Sequence, residues 1–213
     1  MSRFLFMPAP IAIIDFETTG STPAQGARAT EVAIVLVEDG RVVAQFQSLM
    51  NAGVRIPPFI TQLTGITNAM VADAPPAAEV MAQARRFVGD TPLVAHNAPF
   101  DRGFWQAELA RANCDAPQPF ACTVRLARRL YPEAPNHQLG TLARFHQLPS
   151  AGRAHRALAD AQVTAALLLR MQQDLRERWG VAAPDFGFLL ALQACPKARL
   201  ARFLQSNTLG MAG

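Results

Sequence analysis

The sequence contains few cysteines, and they do not form the pattern of a cross-linked or metal-binding framework. The three cysteines, Cys114, Cys122 and Cys195, are odd in number, widely spaced and without a C-x-x-C pair. This pattern argues against a disulfide framework and a cysteine zinc site, and it favours a reducing compartment.

Long apolar runs are also lacking. The apolar stretch FGFLLALQAC is well short of the roughly 20 residues that a membrane-spanning helix needs, so no membrane segment is expected. The N-terminal stretch MSRFLFMPAPIAIIDFETTG runs into acidic residues without a small-residue cleavage site, so we interpret it as mature sequence. The expected location is therefore the cytoplasm.

Lysine is nearly absent as well. Of the 20 basic residues only Lys197 is a lysine, and the net charge is +4. This charge is compatible with an anionic partner but does not identify one. The alanine-rich surroundings of the arginines favour a compositional bias over a dedicated basic patch.

The chain has the composition of a globular protein, with 213 residues of which 50% are hydrophobic. The segments IAIIDF, EVAIVLVEDG and RVVAQFQSLMN predict three antiparallel strands, and Asp39-Gly40 predicts the hairpin turn between the last two. The segments TPLVAHN and FACTV predict two shorter strands that alternate with helices. The expected fold class is therefore α/β, a mixed sheet of three antiparallel strands followed by two shorter parallel strands, flanked by helices.

A long amphipathic segment, ALADAQVTAALLLRMQQDLRERW, predicts a helix that ends at a Trp-Gly pair. We therefore expect a main domain over 1–179 and a C-terminal helical appendage over 180–213. The apolar FGFLLALQAC within the appendage favours packing against the core, with a partner or dimer surface as the alternative. The oligomeric state is left open.

Two acids stand at the end of the first predicted strand. Asp15 and Glu17 are two residues apart, so their side chains share one face of the strand. Two adjacent carboxylates repel each other, and a shared Mg²⁺ or Mn²⁺ relieves that repulsion. An ordinary solvated strand end is the alternative interpretation of this pair alone.

Two further acids and a histidine are candidates for the same site. Asp101 lies in the first turn of a predicted helix, and Asp160 lies near the start of the long helix, where a lone acid would need a partner. His155 precedes Asp160 by five residues, which on one helix would separate them by about 140°. We therefore place His155 on the loop before the helix, where its imidazole suits proton removal from a water molecule. A surface histidine is the alternative interpretation of this residue alone.

Taken together, the segments IIDFETTG, HNAPFD and HRALADAQ resemble the three motifs of the DnaQ-like, or DEDD, superfamily of 3′→5′ exonucleases. The histidine five residues before the last aspartate is typical of the histidine subgroup, which includes the proofreading ε subunit of bacterial DNA polymerase III. The resemblance covers roughly residues 10 to 172 and implies a ribonuclease H-like fold.

This resemblance implies a role for each acid. Asp15 is expected to bridge two metal ions, Glu17 and Asp160 to complete the ion beside the nucleophile, and Asp101 to serve the other ion. His155 resembles the general base. The implied cofactors are two Mg²⁺ ions, with Mn²⁺ as the alternative, and the implied reaction is two-metal hydrolysis that releases 5′-mononucleotides.

The resemblance also implies contacts to the terminal nucleotide. Simple turn or packing roles remain open for the two threonines and for Asn97 and Phe100. Arg28 is left open between a phosphate contact and a surface residue, and His96, His137 and His146 are not assigned to catalysis. The expected substrate-binding residues are Thr18, Thr19, Leu63, Ile66, Asn97 and Phe100.

The implied partner is a nucleic acid with a free 3′ end. DNA is favoured over RNA by the motif resemblance, because the acids act on the phosphate and do not report the sugar. The alternatives are an RNA-trimming exoribonuclease of the same superfamily and a catalytically silent nucleic-acid-binding module. A role as the proofreading subunit of a DNA polymerase is left open.

Overall fold

A computed structural model describes residues 9–149 and 155–208 of the chain. Its centre is a five-stranded mixed sheet with the order β3-β2-β1-β4-β5. The first three strands are antiparallel, and β4 and β5 run parallel to β1, as predicted. The strands are β1 (Ile11–Thr18), β2 (Ala29–Glu38), β3 (Arg41–Leu49), β4 (Leu93–Ala95) and β5 (Phe120–Cys122).

Helices cover both faces of the sheet, and the long predicted helix is present as α7. The described helices are α1 (Pro58–Thr64), α2 (Asn68–Ala72), α3 (Ala77–Val88), α4 (Ala98–Arg111), α5 (Thr123–Leu130), α6 (Leu139–Phe145), α7 (Ala157–Trp179), α8 (Phe186–Ala194) and α9 (Leu200–Ser206). No helix in the described ranges is both long and apolar enough to cross a membrane.

The predicted hairpin between β2 and β3 forms at Asp39 and Gly40. Their φ angles are 50° and 76°, the two consecutive positive values that a type I′ turn requires. The turn joins β2 to β3, and in the sheet Glu31 on β2 lies opposite Glu17 on β1 and Leu49 on β3.

The alternation of side chains along β1 divides the core into two layers. Ile11 and Ile13 point into the layer formed with α5, α6 and α7, whereas Ile14 points into the layer formed with α3 and α4. Asp15 therefore continues the face that α7 covers. Phe16 is buried in the other layer, as expected from the strand period.

A buried ion pair connects the start of β2 to α4, within the layer that contains Ile14. The Nε and Nη2 atoms of Arg28 donate to the two carboxylate oxygens of Glu108 at 2.8 and 2.9 Å, and Glu108 is 1% exposed. Arg28 also donates to the carbonyl oxygen of Ala52 at 2.9 Å. Arg28, directly before β2, is therefore a structural link to α4, a role other than the phosphate contact and the surface residue between which the sequence analysis left it open.

The C-terminal segment packs against the same core. Leu189 and Leu192 of α8 are fully buried in the layer that contains α5 and α7. The Oε1 atom of Gln193 accepts a hydrogen bond from the backbone N–H of Cys122 on β5 at 2.8 Å. This agrees with the interpretation that FGFLLALQAC covers the core.

The α7 helix ends at Trp179, where Gly180 adopts a left-handed conformation with φ 64°. The predicted domains, 1–179 and 180–213, include residues 1–8, 150–154 and 209–213, which lie outside the described residues.

Candidate active site

A cavity of ≈ 450 Å³ opens where β1 and β4 end. Its polar wall combines residues from three separate segments of the chain, and its apolar wall comes from α1. The polar wall contains Asp15, Glu17, Asp101, His155 and Asp160. All four predicted acids and the predicted base thus line one cavity.

Asp15 and Glu17 reach the cavity because they continue the face of β1 that α7 covers. Glu17 is only 8% exposed, although it carries an ionisable group. The pairing of β1 with β2 becomes irregular between Glu17 and Thr18, so regular pairing ends at the edge of the cavity. The strand thereby places two carboxylates directly below the start of α7.

Asp101 approaches the same cavity from the opposite layer. It lies in the first turn of α4, is 2% exposed, and its Oδ1 atom accepts a hydrogen bond from the backbone N–H of Phe16 at 3.2 Å. Asn97, immediately before α4, has a φ of 70°, a left-handed conformation that reverses the chain between β4 and α4. The hydrogen bond from Phe16 to Asp101 ties α4 to β1 at the residue between Asp15 and Glu17.

His155 lies just before α7, which begins at Ala157, as the angular argument predicted. Its backbone N–H donates to Oδ2 of Asp160 at 3.0 Å, and its φ is 60°. Ligand atoms of Glu17, His155 and Asp160 lie within 4.8 Å of one another. The exposed imidazole therefore stands beside the carboxylates at the rim of the cavity.

A buried glutamate fixes the start of α7. Glu31 is 0% exposed and accepts hydrogen bonds from Nη2 of Arg156 at 2.8 Å and from the backbone N–H of Ala157 at 3.1 Å. Its carboxylate also accepts a bond from Gln47 at 2.8 Å. Because Arg156 follows His155 directly, this ion pair holds the backbone next to the histidine at the start of α7.

Burial raises the pKa values of all four acids in the cavity. Burial, followed by repulsion from Asp160 and Glu31, raises the pKa of Glu17 to about 8. Burial is the main cause of the raised pKa of Asp15, Asp101 and Asp160, and repulsion from the neighbouring acids adds to it at Asp15 and Asp101. Four such carboxyls cannot all ionise near neutral pH without added positive charge, and oxygen ligands of this type suit Mg²⁺ or Mn²⁺. The residues therefore fit a divalent-metal centre.

The predicted substrate-binding residues separate into two groups. Thr18, Leu63, Asn97 and Phe100 line the cavity. Thr19 does not, and its hydroxyl instead accepts a hydrogen bond from the backbone N–H of Arg28 at 3.0 Å.

Ile66 does not line the cavity either. It is 0% exposed and packs in a small cluster with Ile56, Ile60 and Val71. Within the segment LTGIT (63–67), therefore, Leu63 faces the cavity, whereas Ile66 is buried and packs against Ile60 of α1.

Phe59 and His96 are among the cavity residues that were not predicted from the sequence. Phe59, one helical turn before Leu63, lines the cavity and is 64% exposed. His96, set aside in the sequence analysis, also lines it, and burial lowers its pKa to about 4, so its ring is neutral. Its Nδ1 atom lies 2.8 Å from the hydroxyl of Thr123. The available signals were helical spacing for Phe59 and adjacency to Asn97 for His96.

The chain is similar to proteins of a known family. The model of the family described as "Exonuclease" (RNase_T) matches residues 12–168. The chain is 38% identical over 172 residues to the PolC-type DNA polymerase III of Latilactobacillus sakei, covering 80% of this chain and 12% of the relative. It is 36% identical over 166 residues to the 3′-5′ exonuclease DinG of Bacillus subtilis, covering 78% of this chain and 18% of the relative. The chain thus spans a small part of the length of these curated relatives.

A solved structure matches over most of its length. The structure of Exonuclease X in complex with 5′ overhanging duplex DNA is 33% identical to this chain, with a TM-score of 0.64. The match covers 76% of this chain and 91% of that one.

Proposed function

The chain belongs to the exonuclease family of DnaQ-like 3′→5′ exonucleases, and on that premise we propose that it hydrolyses the terminal phosphodiester of DNA from the 3′ end. The products are 5′-mononucleotides, and the reaction depends on divalent metal ions. The observation that carries this proposal is the convergence of four carboxylates, from β1, α4 and α7, in one cavity beside His155.

The acids hold the metal ions in this proposal. Asp15, Glu17 and Asp160 face one another between β1 and α7, and Asp101 reaches them from α4. When bound, two Mg²⁺ ions offset the charge of the scissile phosphate and of the four carboxylates, and they promote ionisation of a water molecule. Mn²⁺ suits the same oxygen ligands.

His155 acts as the general base. Its exposed ring stands at the rim of the cavity, and the bond from its backbone to Asp160 holds it beside the acids. The imidazole takes a proton from the water molecule that attacks phosphorus, while the bond from phosphorus to the 3′ oxygen breaks. Glu31 positions this histidine through Arg156.

The terminal nucleotide occupies the space between the acids and α1. Leu63 provides an apolar surface for it, and Thr18, Asn97 and Phe100 complete the walls of the cavity. Thr19 and Ile66 support these walls without lining them.

DNA is the proposed substrate. The relatives named above include a DNA polymerase, and Exonuclease X was solved with duplex DNA. An RNA substrate is the second candidate, since the phosphate-directed acids do not discriminate between the sugars.

The biological setting is part of the same proposal. We place the protein in the cytoplasm, with residues 1–179 as the exonuclease domain and 180–213 as a helical appendage. The PolC-type relative supports a DNA polymerase as a partner, and free-standing degradation is the alternative.

A time course on 5′-labelled single-stranded DNA and RNA of one sequence tests the proposal. The protein is assayed with Mg²⁺, with Mn²⁺ and with a chelator, beside the isosteric variant Asp15→Asn. The matched control is Asp39→Asn, which changes an exposed aspartate of the hairpin turn far from the cavity.

We expect stepwise shortening from the 3′ end that requires metal. It should persist in Asp39→Asn and disappear in Asp15→Asn. Faster shortening of RNA than of DNA would show that RNA, and not DNA, is the preferred substrate. A folded protein that cleaves neither substrate with either metal would refute the enzymatic proposal in favour of a binding module.

A further inference from the structure

A second cavity adjoins the candidate active site on the side of α5. It has a volume of ≈ 470 Å³ and shares His96 and Asn97 with the first cavity. We call it the Arg128 groove. Its other lining residues are Val124, Arg128, Asn136, His137, Gln138 and Leu139.

The charge of this groove is opposite to that of the acidic cavity. Its lining contains no aspartate or glutamate, whereas the neighbouring cavity contains four carboxylates. Arg128 is exposed, and within the described ranges no hydrogen bond or ion pair involves its guanidinium. Arg129, the next residue, instead donates to the carbonyl oxygens of Cys195 and Arg125, both at 2.9 Å. Arg128 is therefore available to a ligand, and Arg129 serves the fold.

Amide donors accompany the guanidinium. Asn136 and Gln138 are both exposed at the groove, and Oδ1 of Asn136 accepts a hydrogen bond from the backbone N–H of Gln138 at 3.0 Å. This bond occupies the acceptor oxygen and leaves the NH₂ group of Asn136 to donate. A guanidinium and amide N–H groups are the donors that phosphate oxygens accept.

A polynucleotide whose 3′ end lies in the acidic cavity needs a route for the rest of its strand. A strand whose 3′ end lies among the carboxylates carries a negative phosphate on every preceding nucleotide. Those phosphates are repelled by any carboxylates that the bound metal ions do not neutralise, so the strand should leave where cations replace acids. The Arg128 groove begins at His96 and Asn97, directly beside the cavity.

A third cavity, which shares Gln138 and Leu139 with the groove, offers a less suitable exit. It contains Arg144, but the guanidinium of that residue already donates to the hydroxyl of Thr141 at 3.3 Å. It also contains Asp160 itself. An emerging phosphate would therefore meet a carboxylate there.

We propose that the Arg128 groove binds the backbone phosphates of the nucleotides that precede the scissile bond. This inference rests on the proposed exonuclease function and adds a second anion-binding site to it. Arg128 pairs with a phosphate, and Asn136 and Gln138 donate to the same strand. The groove therefore holds the remainder of the strand while the terminal nucleotide is removed.

The variant Arg128→Ala tests the groove, with Arg125→Ala as its matched control. Both arginines are exposed on α5, but Arg125 does not line the groove. Two substrates are compared: a single-stranded oligodeoxythymidylate, and the p-nitrophenyl ester of thymidine 5′-monophosphate, which has no preceding nucleotide.

We expect Arg128→Ala to raise KM for the oligonucleotide with little change in kcat, and to leave hydrolysis of the ester unchanged. Loss of one phosphate contact lowers the salt slope of single-strand binding by about 0.7. The advantage of the wild type over Arg128→Ala should therefore shrink about 2.6-fold when salt rises from about 50 to about 200 mM. Arg125→Ala should match the wild type in each measurement.

Binding is measured separately, by fluorescence anisotropy of the labelled oligonucleotide with Asp15→Asn and with Asp15→Asn carrying Arg128→Ala. Weaker binding of the double variant supports the groove even if the wild type proves inactive, a result that would refute the proposed function alone. Equal binding, or equal KM for Arg128→Ala and Arg125→Ala, overturns the inference. A loss seen in Arg144→Ala instead would place the strand in the third cavity and overturn the inference as well.

Discussion

The raised pKa of Glu17 makes a quantitative prediction about stability without metal. Its pKa rises from 4.5 to about 8 on folding, so the folded protein holds a proton that the unfolded chain has released. Between these two values the free energy of unfolding should fall as pH rises, by about 1.4 kcal/mol per pH unit. Below the unfolded pKa this stability is fully present, and it is lost as pH passes through the folded pKa.

The full penalty from Glu17 amounts to about 5 kcal/mol, comparable to the whole stability of many domains. Between pH 5.5 and 7.5 the loss of unfolding free energy due to Glu17 is about 2.7 kcal/mol. The raised pKa values of Asp15, Asp101 and Asp160 have the same sign and steepen the decline. A divalent cation that binds the ionised acids should offset it, because a ligand that binds only the folded state stabilises that state.

Urea unfolding in the presence of a chelator, at several pH values from about 5.5 to about 7.5, measures this effect. In Glu17→Gln the decline should be smaller by about 2.7 kcal/mol over this range, whereas the exposed control Glu133→Gln should follow the wild type. Saturating Mg²⁺ should flatten the wild-type curve. An identical pH dependence for the wild type and Glu17→Gln would refute the reasoning.

Two further predictions concern the support and the apolar wall of the cavity. Glu31→Gln removes the charged partner of Arg156 and should lower the free energy of unfolding by about 3 kcal/mol and reduce kcat; unchanged urea unfolding relative to Glu38→Gln, on the same strand, would contradict this. Phe59→Ala removes an exposed ring beside the acids and should raise KM for single-stranded DNA at least about fivefold, since stacking on a base contributes about 1–3 kcal/mol. A KM equal to that of Phe145→Ala, an exposed phenylalanine outside the cavity, would rule out this contact.

Local patterns in the sequence were sufficient to predict the elements of the fold. The strand period placed Asp15 and Glu17 on one face, because successive side chains alternate in any strand. The Asp39-Gly40 pair predicted the hairpin because both positions need a positive φ. The angular argument put His155 before α7. These properties depend on neighbouring residues alone.

The tertiary structure decided what distant residues do to one another. The sequence did not reveal the partners of Arg28 and Glu31, because Glu108 and Arg156 lie 80 and 125 positions away. Leu63 and Ile66 belong to one short segment, but only packing shows that the first faces the cavity and the second the core. The motifs named the acids, whereas the meeting of Asp101 from one layer with Asp15 from the other required both helices to close over the sheet. A local pattern specifies the direction of a side chain within its element, and burial between elements determines what that side chain meets.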